Sequence, residues 1–164
     1  CSPLTVNFDG SQSIDASGDP IVSYTFNFGD GSSPVTQSGP KVSHTYPSGG
    51  AYRPNLAVTC SRGTTSTNAA DAEVDVADPP AAPAITAPST AKANQTGLKA
   101  AVASHAGSRY TWSISNGTIT AGQGTSGITF TAGLKGSVTL SVTEVSSAGC
   151  VSPAGTATVT IGKK

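Results

Sequence analysis

The sequence has no methionine, few charged residues and no long apolar run. Its apolar pattern limits which kinds of secondary structure it can form. Only 11% of its 164 residues are charged, against about 25% in a typical soluble domain. No stretch approaches the roughly 20 apolar residues of a membrane-spanning helix. No stretch keeps the apolar period of an amphipathic helix for more than about two turns. We therefore expect no membrane span and no α-helix longer than a turn.

Residues that could carry chemistry are also scarce. The two histidines, His44 and His105, lie outside any hydrolase motif, so no nucleophile or acid–base pair with an orienting partner can be assigned. No Cys-x-x-Cys pair or histidine cluster offers zinc ligands. The aromatic residues occupy inward strand positions and the basic residues are dispersed, which disfavours nucleic-acid binding. The sequence predicts a protein that is not an enzyme, holds no cofactor and binds no nucleic acid.

Short stretches with an apolar residue at every second position recur along the chain. They lie at residues 4–8, 24–28, 52–58 and 72–76 in the first half, and at 98–102, 110–114, 128–130, 138–142 and 157–161 in the second. An apolar period of two is typical of half-buried strands, and many short strands separated by turns are typical of β-sandwiches. Pro54 lacks the N–H that a strand would donate, so we expect a bulge there.

A proline cluster at residues 79–83 divides the chain where its charge changes sign. Residues 1–78 have three basic and eight acidic residues, a net charge of −5, whereas residues 79–164 have six basic and one acidic, a net charge of +5. A short, proline-rich stretch is typical of an interdomain linker. We therefore predict an all-β protein of two tandem immunoglobulin-like β-sandwiches, with domains at 1–78 and 79–164.

The stretch YTFNFGDGS at residues 24–32 places three aromatics two positions apart and then turns. Period two sends these aromatics into the core and leaves Asn27 exposed. The structural motif Phe28, Gly29, Asp30 and Gly31 follows, in which glycines supply positive φ angles and the aspartate bonds the local backbone. Asp30 is thus interpreted as a turn residue rather than a catalytic acid.

Two longer stretches carry a family resemblance. PLTVNFDGSQSIDASGDPIVSYTFNFGDGS and HTYPSGGAYRPNLAVT resemble the PKD domain, an immunoglobulin-like sandwich found in tandem in many extracellular and cell-surface proteins. The second half, with YTWSISNGTITAGQGTSGITFTAG, resembles PKD-like and immunoglobulin-like domains of large secreted bacterial proteins. The resemblance implies an extracellular or cell-surface setting and a bacterial source. The first strand that a PKD domain usually has before PLTV is missing, so one sheet edge is expected to lack a neighbour unless residues upstream supply one.

The resemblance also raises the question of calcium. Certain collagenase PKD domains bind calcium through a D-x-D motif and a further acid. Here Asp15 matches the motif, but the other positions are Ser17 and Cys60. Since calcium prefers several carboxylate ligands, Asp15 is only a weak calcium candidate, and the sequence predicts no metal site.

Three cysteines leave at least one thiol without an internal partner. In an immunoglobulin-like sandwich, the strand that Cys1 begins and the strand that Cys60 ends run in the same direction, which separates these residues by roughly 15 to 20 Å. A disulfide needs Cα atoms within about 7 Å. Cys150 follows the strand that holds Val142, so we expect it at the upper end of the second domain, facing the lower end of the first domain where Cys1 lies. We therefore predict a disulfide between Cys1 and Cys150, with lipidation of Cys1 as the alternative.

Taken together, these features predict a noncatalytic extracellular module for structure and adhesion. Its expected partners are other domains of a larger surface protein or neighbouring subunits, and opposite domain charges predict weak self-association. Two alternatives stay open. One is an accessory spacer of a secreted hydrolase of the protease or chitinase type, and the other is a repeating subunit of an extracellular filament or surface layer.

Overall fold

The computed structural model describes residues 1–66 and 70–162. The regular secondary structure of these residues consists of β-strands, with no helix among them. The chain divides into two compact units, Cys1–Asp78 and Pro79–Lys164. The first unit contains β1 (Leu4–Asp9), β2 (Ile21–Asn27), β3 (Val35–Gln37), β4 (Lys41–Tyr46), β5 (Gly50–Tyr52), β6 (Asn55–Cys60), β7 (Ala70–Asp71) and β8 (Val74–Val76). The second contains β9 (Thr90–Ala91), β10 (Leu98–Ala101), β11 (Arg109–Ser115), β12 (Gly117–Ala121), β13 (Gly127–Ala132), β14 (Gly136–Val145) and β15 (Gly155–Ile161). No helix among the described residues is long and apolar enough to cross a membrane.

In the first unit a four-stranded sheet, in the order β3-β2-β6-β7, is accompanied by the pairs β1-β4 and β5-β8. Tyr24, Phe26 and Phe28 are 8%, 3% and 2% exposed. This confirms the prediction that the three aromatic residues of this stretch lie in the core. Side chains of β1 and β4 pack against these rings. The alternation of apolar and polar residues thus gives β1, β2 and β4 one buried face each.

Two details of the first unit differ from the prediction. Pro54 does not form a bulge in a continuous strand, because β5 ends at Tyr52 and β6 begins at Asn55, so the chain leaves one sheet and enters another. Asn27 is half-buried rather than exposed. Its side chain folds onto the following turn, where Oδ1 accepts a hydrogen bond from the N–H of Gly29 at 3.0 Å.

The second unit is a sandwich of a four-stranded sheet, β11-β14-β15-β9, and a three-stranded sheet, β10-β13-β12. Tyr110 and Trp112 are 3% and 2% exposed, as predicted. The Trp112 indole donates to the carbonyl of Thr125 at 2.9 Å, so its polar atom is satisfied inside the core. Further buried residues from both sheets complete this core: Leu98, Ala100, Ile128, Phe130, Val138, Leu140, Val142 and Val159.

Within the described residues β1 pairs with β4 alone. Its other edge therefore carries no strand from the described chain. The N–H of Ser2 donates to the carbonyl of Ala77 at 2.8 Å, which ties the first residues to the segment that follows β8. The two-unit architecture of tandem immunoglobulin-like sandwiches matches the fold class that the sequence predicts.

Candidate functional site

The Phe28-Gly29-Asp30-Gly31 motif forms a tight turn directly after β2. Gly29 and Gly31 have φ angles of 73° and 84°, in the region that favours glycine. A Cβ at Gly29 would lie 2.6 Å from the carbonyl oxygen of Arg53, so any larger residue would displace the backbone. Asp30 Oδ1 accepts hydrogen bonds from the N–H of Ser32 at 3.0 Å and from its hydroxyl at 2.5 Å. The aspartate therefore stabilises the turn that contains it.

The same aspartate also binds a histidine from β4. Nε2 of His44 lies 2.7 Å from Oδ2 of Asp30, and the two side chains are 16% and 9% exposed. Hydrogen bonds from Ser32, aided by His44, outweigh the effect of burial and lower the pKa of Asp30 from 3.8 to about 2. This carboxylate consequently stays ionised over the whole physiological range of pH.

Aromatic rings cover the imidazole of this pair. The Phe28 ring stacks on His44 with centroids 3.8 Å apart, and Tyr46 contacts it edge-on at 4.9 Å. The Tyr46 hydroxyl donates to the carbonyl of Phe28 at 3.0 Å, and burial raises its pKa above 10.0. The hydroxyl of Ser32 donates to Asp30 and not to His44, and a carboxylate with a pKa of about 2 is a weak proton acceptor, so the serine has no strong base beside it. The cluster is suited to holding β4 against the turn.

A second acid–histidine pair lies in the second unit. Nδ1 of His105 lies 2.8 Å and 3.0 Å from the two carboxylate oxygens of Glu144, and Glu144 is 2% exposed. Burial raises the pKa of Glu144, but hydrogen bonds from Ser108 and His105 outweigh it, so the pKa lies below its ordinary value. The sequence gives no clear sign of this pair. The sequence hints at it in one respect. Glu144 lies two positions after Val142, in the same alternation that places Val138, Leu140 and Val142 in the core.

Asp15, the weak calcium candidate, lies in a turn before β2. Its Oδ2 accepts hydrogen bonds from the N–H groups of Ser17 at 2.8 Å and Asp19 at 3.4 Å. Over residues 1–66 and 70–162 no group of three or more His, Cys, Asp or Glu side chains could hold a metal ion. The surroundings of Asp15 are those of a residue that caps a turn.

The three cysteines are in two states. Cys1 and Cys150 are disulfide-bonded, as the predicted pairing requires, whereas Cys60 is free and 3% exposed. Such burial keeps the Cys60 thiol away from reagents and from a neighbouring molecule.

An apolar cavity of about 150 Å³ opens on the surface of the first unit. Its apolar lining comes from β1, β2, β6 and the segments beside them: Phe8, Phe26, Phe28, Pro54, Leu56 and Ala72. Two exposed carboxylates, Asp9 and Asp71, also line it. We call this cavity the Phe8 pocket. This pocket cannot be seen in the sequence, because its lining residues come together only when both sheets are in place.

Comparison with solved structures returns several proteins at low sequence identity. The fibronectin(III)-like modules of CbhA from Clostridium thermocellum are 17% identical, with a TM-score of 0.39 over 98% of this chain and 86% of that chain. Carbohydrate-binding modules from the β-sandwich superfamily are 21% identical, with a TM-score of 0.43 over 87% and 51%. SGBP-B of Bacteroides ovatus, in complex with a mixed-linkage heptasaccharide, is 19% identical, with a TM-score of 0.30 over 98% and 42%. The chain thus spans about half or less of the last two.

Family models cover nearly the whole chain. A PKD domain matches residues 1–76, and a PKD-like domain matches residues 78–160. No curated protein matches the chain. The two family matches fall on the two compact units. The chain therefore belongs to the PKD family, as a PKD domain followed by a PKD-like domain.

Proposed function

We propose that the chain is a noncatalytic structural and adhesion module of a larger protein that is secreted or displayed on a bacterial cell surface. The observation that carries the proposal is the tandem of a PKD domain and a PKD-like domain over residues 1–76 and 78–160. The disulfide-bonded state of Cys1 and Cys150 supports the extracellular setting, because disulfides persist mainly outside the reducing cytosol.

The use of the polar side chains also supports a structural role. Asp30 and His44 bind each other next to a turn, and Glu144 with His105 forms the corresponding kind of pair in the second unit. Asp15 bonds the backbone of its own loop. Each of these groups contributes hydrogen bonds that hold a loop or strand in place, and such satisfied polar groups favour a single, rigid arrangement. Rigidity is the property that a load-carrying or spacing module needs.

The extracellular setting is tested by labelling intact cells of the source organism with a membrane-impermeant amine reagent. Lys99 and Lys135 are exposed, so both should be labelled to the same extent on intact and on lysed cells, while a cytosolic marker protein is labelled only after lysis. Labelling of these lysines that requires lysis contradicts the proposal.

The adhesive role is tested in the parent protein by replacing residues 1–164 with an unrelated β-sandwich of similar length. We expect attachment of the cells to fall while the amount of protein at the surface stays constant. Unchanged attachment contradicts the adhesive role. A selective loss of hydrolase activity on an insoluble substrate would instead favour the spacer alternative.

A further inference from the structure

The Phe8 pocket has the size and chemistry to accept one apolar side chain. A cavity of about 150 Å³ can take a benzene molecule, which is larger than the side chain of leucine. Its exposed rim carries Asp71, which forms no ion pair with any described residue, and Asp9, which lies 2.9 Å from Lys41. A suitable occupant is therefore an exposed aliphatic side chain with a cation next to it.

The second unit displays such a side chain. Leu134 is 70% exposed, in the turn between β13 and β14, and the exposed Lys135 follows it. The turn is braced from both sides: Asn94 N–H donates to the carbonyl of Gly133 at 3.0 Å, and Asn116 Nδ2 donates to the carbonyl of Lys135 at 2.8 Å. Because the turn is already held in place, its backbone loses little conformational entropy when Leu134 binds.

The charges of the two surfaces are complementary. Residues 1–78 have a net charge of −5, and residues 79–164 have a net charge of +5. In the second half Glu144 is the single acid, and it is buried, so Lys135 faces no competing carboxylate on its own unit's surface. Complementary fields of this kind steer association and fix its register.

We propose that Leu134 of one copy of the chain enters the Phe8 pocket of a second copy, with Lys135 of the first facing Asp71 of the second. The contact joins two different surfaces, so each copy can use its leucine on one neighbour and its pocket on another. The interaction is weak, because it buries one anchor residue, and salt weakens it further, since the charges are exposed to solvent. This self-association goes beyond the proposed function and does not depend on it.

Sedimentation velocity of the full chain under oxidising conditions, at several protein concentrations and at 20, 150 and 500 mM salt, measures the association. We expect a mainly monomeric protein at 150 mM salt and concentration-dependent association at about 20 mM, where the screening length is longer. Leu134→Ser and Ala72→Lys should each weaken association at least about tenfold, as truncation of an anchor or filling of its pocket does. Both positions are exposed, so neither change should disturb folding.

Matched controls separate this contact from the general loss of an exposed apolar side chain and from a change in net charge. Val151 is an exposed apolar residue elsewhere on the second unit, 56% exposed, and Val151→Ser should leave association within about threefold of the original. Lys99 is exposed on β10, and Lys99→Glu, which changes net charge as much as Lys135→Glu does, should weaken association less than Lys135→Glu.

Two combinations make the test decisive. A chain with Leu134→Ser and a chain with Ala72→Lys keep complementary halves of the contact, so each should be monomeric alone and their mixture should stop at a one-to-one dimer. The double change Asp71→Lys with Lys135→Glu should restore association that either single change removes. The proposal is overturned by a wild-type chain that stays monomeric at low salt, by association that ignores both Leu134→Ser and Ala72→Lys, or by mixtures that grow beyond dimers.

Discussion

Phe26→Ala tests whether the aromatic run of β2 holds the first unit together. Phe26 is 3% exposed and lies opposite Val35 on one side and Leu56 on the other. Removing a buried phenylalanine costs the transfer free energy of the ring plus the cost of the cavity, about 3 to 5 kcal/mol. A unit of this size is stable by only about 4 to 12 kcal/mol. The substitution should therefore remove a large part of the stability of the first unit.

The assay exploits the position of the single tryptophan. Trp112 is the sole tryptophan of the chain and is buried in the second unit, so its fluorescence during urea unfolding follows that unit. Hydrogen exchange of amides in β2 follows the first unit. Phe26→Ala should lower the free energy of opening of β2 by about 3 to 5 kcal/mol while the fluorescence midpoint stays in place.

Two further variants calibrate the result. Phe130 is fully buried in the second unit, so Phe130→Ala should move the fluorescence midpoint and leave exchange in β2 unchanged. Phe26→Leu removes fewer buried atoms than Phe26→Ala and leaves a smaller cavity, so it should cost less than Phe26→Ala. A cost below about 1 kcal/mol for Phe26→Ala would refute the core role of Phe26. A fluorescence midpoint that moves as far with Phe26→Ala as with Phe130→Ala would refute the independence of the two cores.

Three more predictions follow from the site. Tyr46→Phe should lower the free energy of unfolding of the first unit by about 1 to 3 kcal/mol, because the buried carbonyl of Phe28 loses its donor. Urea unfolding monitored by hydrogen exchange measures this change, and an unchanged free energy would count against the hydrogen bond. The pKa of Asp30 is about 2 when folded against 3.8 ordinarily, so its contribution to stability is complete above about pH 4 and is lost as pH falls towards 2; Asp30→Asn should flatten this decline, and an equally steep decline would contradict the assignment. Peptide mapping without reduction should give a Cys1–Cys150 cross-link and a Cys60 that is alkylated once the protein is unfolded, whereas a Cys1–Cys60 peptide would overturn the predicted pairing.

The strands with a plain apolar alternation could be predicted from the sequence. β2, β11 and β14 have an aromatic or aliphatic residue at every inward position over most of their length, and period two alone implies one buried face. The turn at residues 29–31 was equally visible, because glycine is the residue that adopts positive φ without strain. Local sequence therefore determined the fold class and much of the core.

The remaining strands are defined by their partners. β4 has a histidine at an inward position and β12 has a single aliphatic residue, so neither shows the alternation, and each is a strand because a stronger strand beside it offers hydrogen bonds. The sequence around Pro54 predicts a bulge in a single strand. The chain instead changes sheets at this residue, and only the sheet arrangement reveals that.

The candidate sites depend on tertiary structure in the same way. Glu144 and His105 are 39 residues apart, and the residues of the Phe8 pocket come from β1, β2, β6 and β7 and the segments beside them. The sequence determined which residues are inward and which turns are possible, since these depend on neighbours along the chain. Tertiary structure alone decided which acid binds which histidine and where an apolar surface stays open, because those contacts form between segments whose separation in sequence carries no information about their distance in space.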